Sequence, residues 1–328
     1  MAKTAGRQVE VGLGIEATPG TAVAETVFLQ HTAFSMQAIA EKELFVSARG
    51  IRNQSSNSMI KRKYSGGSIT VIPNVVNAPY LFGLTLGSVS SALASGETAV
   101  YEHTITVQNT NASMKTATMT VAEGAIQTAQ YTNVVVDSLN LEVSDGYATA
   151  TLELLGQFPG TDTQSESYTQ ETEFAYHNMA VKFGTSVSNA NSGSATPLKS
   201  VTLNIANNVQ LDEAFLSGSN EVAANGFVAG PLEITGSYSL HFENTTELAK
   251  YKANTKNAMV ISFTGASIGS AETEEINIAL GKVILTGPPI EYNLDGLLVL
   301  NQEFTVEYDS TDTDIKVIVT NEDAGSNY

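Results

Sequence analysis

Leu232-Glu233-Ile234-Thr235-Gly236-Ser237-Tyr238-Ser239-Leu240-His241-Phe242 alternates apolar and polar side chains. On an extended chain Leu232, Ile234, Tyr238, Leu240 and Phe242 share one face, and Glu233, Thr235, Ser237, Ser239 and His241 share the other. This is the pattern of a strand buried on one side and wet on the other. The same alternation recurs at Leu139, Leu141 and Val143, at Val201, Leu203 and Ile205, at Ile276, Ile278 and Leu280, and at Phe304, Val306 and Tyr308. Antiparallel sheets with one solvated face are the expected result. Helical periodicity is scarce. One candidate opens at Asn244 as N-cap, with Glu247 at the capping-box position, and runs to about Lys256; a second, shorter one spans Ala78 to Leu86. The fold class read from these patterns is all-β with minor α.

Composition agrees. Only 15% of residues are charged and 42% are hydrophobic, which excludes a disordered polyelectrolyte. Thr, Ser, Val, Ala and Gly dominate, favouring strands and turns. A chain of 328 residues has room for two cores. The net charge of -18 opposes tight binding to nucleic acid, which is driven by Lys and Arg displacing counterions. With no cysteine there is neither a disulfide framework nor a thiolate site, which fits assembly in a reducing cytoplasm. Met1 to Glu10 has no apolar run of the kind that directs secretion. Ser65 to Gly96 carries no charge, but Pro73, Asn74, Asn77 and Pro79 interrupt its most apolar window, so a membrane-spanning helix is not expected.

A search for internal repeats organises the chain. Gly67-Ser68-Ile69-Thr70-Val71, followed by the Ala78 to Leu86 candidate, matches Gly236-Ser237-Tyr238-Ser239-Leu240, followed by the Asn244 candidate, at an offset of 169. Phe45-Val46-Ser47 matches Phe215-Leu216-Ser217 at 170, and Phe34-Ser35-Met36 falls on Leu203-Asn204-Ile205 at 169. Met119 to Val121 corresponds loosely to Ile276 to Ile278. Residues 160–170 are rich in Thr, Ser and Gln, as a surface linker would be. The expected organisation is a duplication: domain 1 over 1–160, a linker over 161–171 and domain 2 over 172–328, each a β-sandwich or barrel with a flanking short helix and a long inter-strand loop.

The sequence carries no familiar catalytic or ligand-binding motif. His31, His103, His177 and His241 are isolated, with no metal-binding spacing. Gly12-Leu13-Gly14 runs into Glu16 and Pro19 instead of opening a helix, so it is not a phosphate loop. Glu272, Glu274 and Glu275, or Asp309, Asp312 and Asp314, are dense enough for a glycosidase or a calcium loop. The absence of Trp argues against the first, and the missing Gly and distal Glu against the second. No catalytic, cofactor or metal residue is expected, and the chain reads as a non-enzyme.

Three segments resemble the tail tube family of long-tailed, siphovirus-type bacteriophages. Gly14-Ile15-Glu16-Ala17-Thr18-Pro19-Gly20-Thr21 is similar to that family's opening segment of Glu, small residues and Gly-Thr. Ser47-Ala48-Arg49-Gly50-Ile51-Arg52 resembles its Arg-Gly-x-Arg loop, and Tyr101-Glu102-His103-Thr104 its Tyr-x-His-Thr strand. The resemblance implies a virion protein, assembled in the host cytoplasm, whose inner sheets join into rings. The rings stack into a hollow tube through which DNA passes, in company with a tape measure and other tail proteins. Two domains per chain would let a trimer close a pseudo-hexameric ring, with a hexamer as the other stoichiometry. A decoration protein, an adhesin or a carbohydrate-binding module is the alternative reading.

An acidic conduit would repel the DNA it carries. Charge is also unevenly placed. Arg49, Arg52, Lys61, Arg62 and Lys63 cluster in the long loop of the first half, whereas the matching stretch of the second half, Leu211 to Glu233, has no Lys or Arg and carries Asp212, Glu213, Glu221 and Glu233. The expectation is that these oppositely charged loops dock between subunits or between rings.

Overall fold

The computed structural model describes residues 5–48, 50, 52, 55–109, 114–124, 126–162, 168, 172–243, 245–287, 290–291, 297–311, 313–325 and 327–328. The first half contains β1 (Val9–Ile15), β2 (Val27–Phe28), β3 (His31–Phe34), β4 (Gln37–Val46), β5 (Ser55–Val71), α1 (Ala78–Leu86), β6 (Gly87–Leu93), β7 (Tyr101–Val107), β8 (Ala117–Glu123), β9 (Thr128–Val143), β10 (Thr149–Gly156) and β11 (Gly160–Thr161). The second half contains β12 (Met179–Gly184), α2 (Val187–Asn191), β13 (Ala195–Thr196), β14 (Ser200–Ala206), β15 (Glu233–His241), α3 (Thr246–Ala253), β16 (Asn257–Ile268), β17 (Glu272–Leu285), β18 (Ile290–Glu291), β19 (Val299–Val306) and β20 (Ile315–Asn321). The chain is all-β with minor α, as its period-two alternation predicts.

Strand neighbours recur from half to half. In the first the order is β2-β1-β8-β9-β10-β5-β3, and in the second β13-β12-β16-β17-β19-β15-β14, antiparallel throughout. Register recurs as well. Gly67 faces Leu154 as Gly236 faces Phe304, and Leu154 faces Val136 as Phe304 faces Leu285. Leu13 faces Met119 as Phe183 faces Met259, and Met119 faces Tyr131 as Met259 faces Leu280. By register, Met119 therefore has its counterpart in Met259 on β16, and the looser sequence match to Ile276 lies one strand away.

The Gly-Ser dipeptide found in both halves has a physical reason. A Cβ on Gly67 would sit 2.5 Å from the Ser35 carbonyl oxygen, and one on Gly236 would sit 2.3 Å from that of Thr202. Only glycine allows the neighbouring backbone so close. The following serines then bond the same way across the strands. Ser68 N donates to Ser35 Oγ at 2.9 Å with the two hydroxyls 3.0 Å apart, and Ser237 N donates to Thr202 Oγ1 at 3.1 Å with the hydroxyls 2.8 Å apart. Phe34 faces Ile69 and Val201 faces Tyr238, so the spatial offset on this strand is 167, two residues short of the sequence match. A slip of two keeps every side chain on its own face.

β9 is long enough to serve two layers: its start pairs with β8 and its end with β10. Leu13, Met119 and Val121 from one layer and Ile69, Leu139 and Leu152 from the other belong to one buried cluster, which continues into the second half through Leu203, Ile261, Ile278 and Phe304. All nine residues of α1 are buried, as expected of a helix apolar on every side. α3 has no buried residue; Asn244 lies outside the described residues, and Glu247 accepts from the Tyr238 hydroxyl at 3.0 Å and from Lys250 Nζ at 2.6 Å. Among the described residues no helix is long and apolar enough to cross a membrane.

The last segment ties the halves together. β20 lies between β17 and β7. Asn321 Nδ2 then donates to Val75 O at 2.7 Å while its Oδ1 bonds the buried His103 Nε2 at 2.8 Å, and the Tyr328 ring packs edge-on against Tyr80 and His103. The Tyr-x-His-Thr strand thus uses its histidine as a packed core group.

Candidate assembly surface

β4 and β5 form a ribbon whose pairing runs from Gln37 opposite Gly66 out to Val46 opposite Ser55. Near its base the ribbon lies on the body of the protein. From Lys42 outward β4 is exposed at every residue, and the described side chains of β5 are exposed from Asn57 to Lys61. Leu44 is 61% exposed, Phe45 61%, Val46 64%, Met59 60% and Ile60 40%. A two-stranded ribbon is marginal on its own in water, and apolar side chains concentrated at its end mark a contact surface. The shallow cleft there is lined by Glu43, Leu44, Phe45, Val46, Asn57, Ser58 and Met59.

The base of the ribbon is gripped by residues 207–232, the connection between β14 and β15. Arg62 Nη1 donates to Asp212 Oδ1 at 2.6 Å, and Lys63 Nζ donates to Glu221 Oε1 at 2.9 Å. Lys63 N also donates to Asn220 O at 2.7 Å. The Arg62 guanidinium lies 4.8 Å above the Phe215 ring, and Tyr64 meets the same ring edge-on. Burial, then the Glu41 carboxylate beside it, pushes the Tyr64 phenol above its ordinary range. Beneath, Ala214, Val222 and Phe227 pack on Val135. Polar bonds close the contact: Gln157 Nε2 donates to Val222 O at 2.9 Å and Asn133 Nδ2 to Ala223 O at 3.2 Å.

Glu16 supports this arrangement from below. Its buried carboxylate accepts from Gly20 N, Thr116 Oγ1, Thr118 Oγ1 and Asn133 N, all within 2.7–2.9 Å. Gly20, at φ +76°, lies so close to Ala224 that a Cβ would fall 2.9 Å from that residue's own. The opening Glu-to-Gly-Thr segment is therefore a structural clasp.

The charged residues picked out in the sequence divide accordingly. Arg62, Lys63, Asp212 and Glu221 meet one another within one chain, so this part of the complementarity is satisfied internally. Arg52, Lys61 and Glu213 are exposed with no ion pair among the described residues, and Arg49 lies outside them. The exposed apolar residues of the ribbon fall outside the charge pattern. Their signal was Leu44-Phe45-Val46, three apolar residues in succession, which puts apolar groups on both faces of a strand.

An antiparallel scaffold that carries an exposed apolar ribbon defines a structural β-protein built to associate. A family model described as phage tail tube protein matches residues 6–306, and the chain belongs to that family. Its role is structural, as a component of the tail tube of a phage virion. Comparison with curated proteins finds no match.

Proposed function

We propose that the chain closes into rings which stack as the hollow tube of a long, siphovirus-type tail, with genomic DNA passing through the bore. The observation that carries this reading is the join between the halves. β14 pairs with the end of β9 through six residues, Val201 opposite Val143 to Ala206 opposite Ser138, so one half's sheet continues into the next. A sheet that extends from unit to unit is what a ring wall requires, since closure removes its open edges.

In this reading 1–160 and 172–328 are duplicated tube domains joined by 161–171, and the recurring strand order and register support it. Three chains then supply six domains to a pseudo-hexameric ring, and six chains would make a larger one. The charge of -18 suits a wall that must not hold DNA. Arg49, Arg52, Lys61 and Glu213 remain candidates for contacts between subunits or rings, beside the apolar ribbon. The tape measure and other tail proteins are the further partners, met during assembly in the host cytoplasm. Negative-stain microscopy of purified protein, with the mass of a single ring, tests this reading: hollow tubes with three chains per ring are expected, and a monomer at high concentration refutes it.

A further inference from the structure

The junction inside the chain specifies the junction between chains. Ser35 and Thr202 hold the same place, each bonded to the serine after a close-approach glycine. The end of β9 and β18 also hold the same place: Leu141 faces Ala150 as Ile290 faces Leu300, and Glu142 faces Thr149 as Glu291 faces Val299. Within the chain the outer edge of β14 is joined to β9, with Thr202 opposite Glu142 and Leu203 opposite Leu141. The two matching edges are open among the described residues. β3 pairs only with β5, and β18 pairs only with β19.

The connections that follow these edges show the same contrast. Residues 207–232 leave β14 and cover Val135, Asn133 and Gln157 in the adjoining half. The β4-β5 ribbon leaves β3 in the same position and carries Phe45 and Met59 into solvent. By register, the counterparts of Val135 and Leu155 are Ile284 and Thr305 on β17 and β19. Tyr308, just beyond β19, is 69% exposed.

We infer that the Phe34 to Met36 edge of one copy pairs with β18 of a neighbouring copy, placing Ser35 opposite Glu291 and Met36 opposite Ile290, while the β4-β5 ribbon lies across that neighbour's β17-β19 face beside Ile284 and Tyr308. This rests on the ring reading above and adds the edges, the register and the covering element. Pro288 and Pro289 have no N–H to donate, so the ladder between copies is shorter than the six pairs within the chain. The ribbon's apolar end compensates by contributing buried area.

The absence of cysteine makes this directly testable. Directly opposed strand residues lie within reach of a disulfide. Under oxidation during assembly, the full-length S35C/E291C variant is expected to give covalent dimers and a closed trimer on a non-reducing gel. The control T202C/E142C, the same junction inside the chain, is expected to cross-link without leaving monomer mass. In the unmodified protein, amide exchange at Phe34 and Met36 is expected to slow by roughly 10-fold or more on assembly, whereas Ser35 N already donates to Ser68 O within the chain. Tubes that form with neither inter-chain cross-linking nor protection at Phe34 and Met36 overturn the inference and leave the tube reading standing. Protein that never assembles overturns both.

Discussion

Residues 207–232 and the β4-β5 ribbon occupy the same position in their respective halves and differ in what they touch. The first is acidic, lies on the adjoining half and buries Ala214, Val222 and Phe227. The second is basic and leaves its apolar end in water. The difference teaches that one of the two connections is packed within the chain while the other leaves its apolar end exposed, and on the proposed assembly that end is the contact exported to a neighbouring copy. The internal connection contributes to the stability of the monomer, and the ribbon's apolar end is exposed among the described residues, where the proposal seats a second copy.

The contrast can be broken most completely at the exported end. Phe45→Asp with Met59→Asp is expected to abolish tubes and rings in sedimentation and microscopy. Thermal unfolding of the monomer should stay within about 0.5 kcal/mol of the parent, because both side chains are already exposed. A variant that still assembles would show that the ribbon is not the contact.

At the internal end the order of effects reverses, with folding hit first. Phe227→Ala empties a buried site and is expected to cost about 4 kcal/mol in denaturant unfolding. Glu16→Ala leaves two threonine hydroxyls and two backbone N–H groups without their acceptor, and about 3 kcal/mol is expected by the same measurement.

The ion pairs are a smaller matter. Arg62 and Asp212 form a close pair, but the Asp212 side chain is 82% exposed, so water screens it. A double-mutant cycle through Arg62→Ala and Asp212→Ala is expected to give a coupling of about 0.5 kcal/mol that fades with added salt. A coupling of several kcal/mol would mean that charge, and not Phe215, Val222 and Phe227, holds the ribbon base.

The smallest effect is in pH. Tyr64, at the ribbon base, has its phenol raised by burial and by Glu41, so its folded pKa lies above the unfolded value of 10.0. Its contribution is fully present below pH 10 and is lost as pH rises from there through the folded value. Tyr64→Phe should therefore remove one late-ionising tyrosine from the 295 nm absorbance titration and soften the alkaline fall in melting temperature slightly. Loss of a tyrosine that ionises in the ordinary range, instead of a late one, would place Tyr64 in water.

Much of this architecture is legible in order along the chain. The Ala78 to Leu86 helix lies where its short apolar segment predicts. Strands fall on the alternating runs because burial of one face imposes period two wherever a sheet covers a core. The two Gly-Ser dipeptides are visible because a backbone approach of under 3 Å admits no other residue. The same uniformity limits what alternation can say. Strands of one period resemble one another, so Met119 matched Ile276 as well as its register partner Met259, and Phe34 slipped by two residues. Charge complementarity between residues 150 apart is readable, but whether its partner lies in the same chain or another is not.

By itself the sequence determined a β-rich chain, the recurrence of its Gly-Ser strands followed by a helix, and an acidic balance, because these follow from local side-chain periodicity and from counting. Only the tertiary structure decided that Arg62 and Lys63 are engaged at home, that His103 and Tyr328 lock the end of the chain into the first half, and that β3 and β18 each have one edge open among the described residues. Those are facts of long-range pairing, where hydrogen bonds and burial between distant segments choose among arrangements that local patterns allow equally.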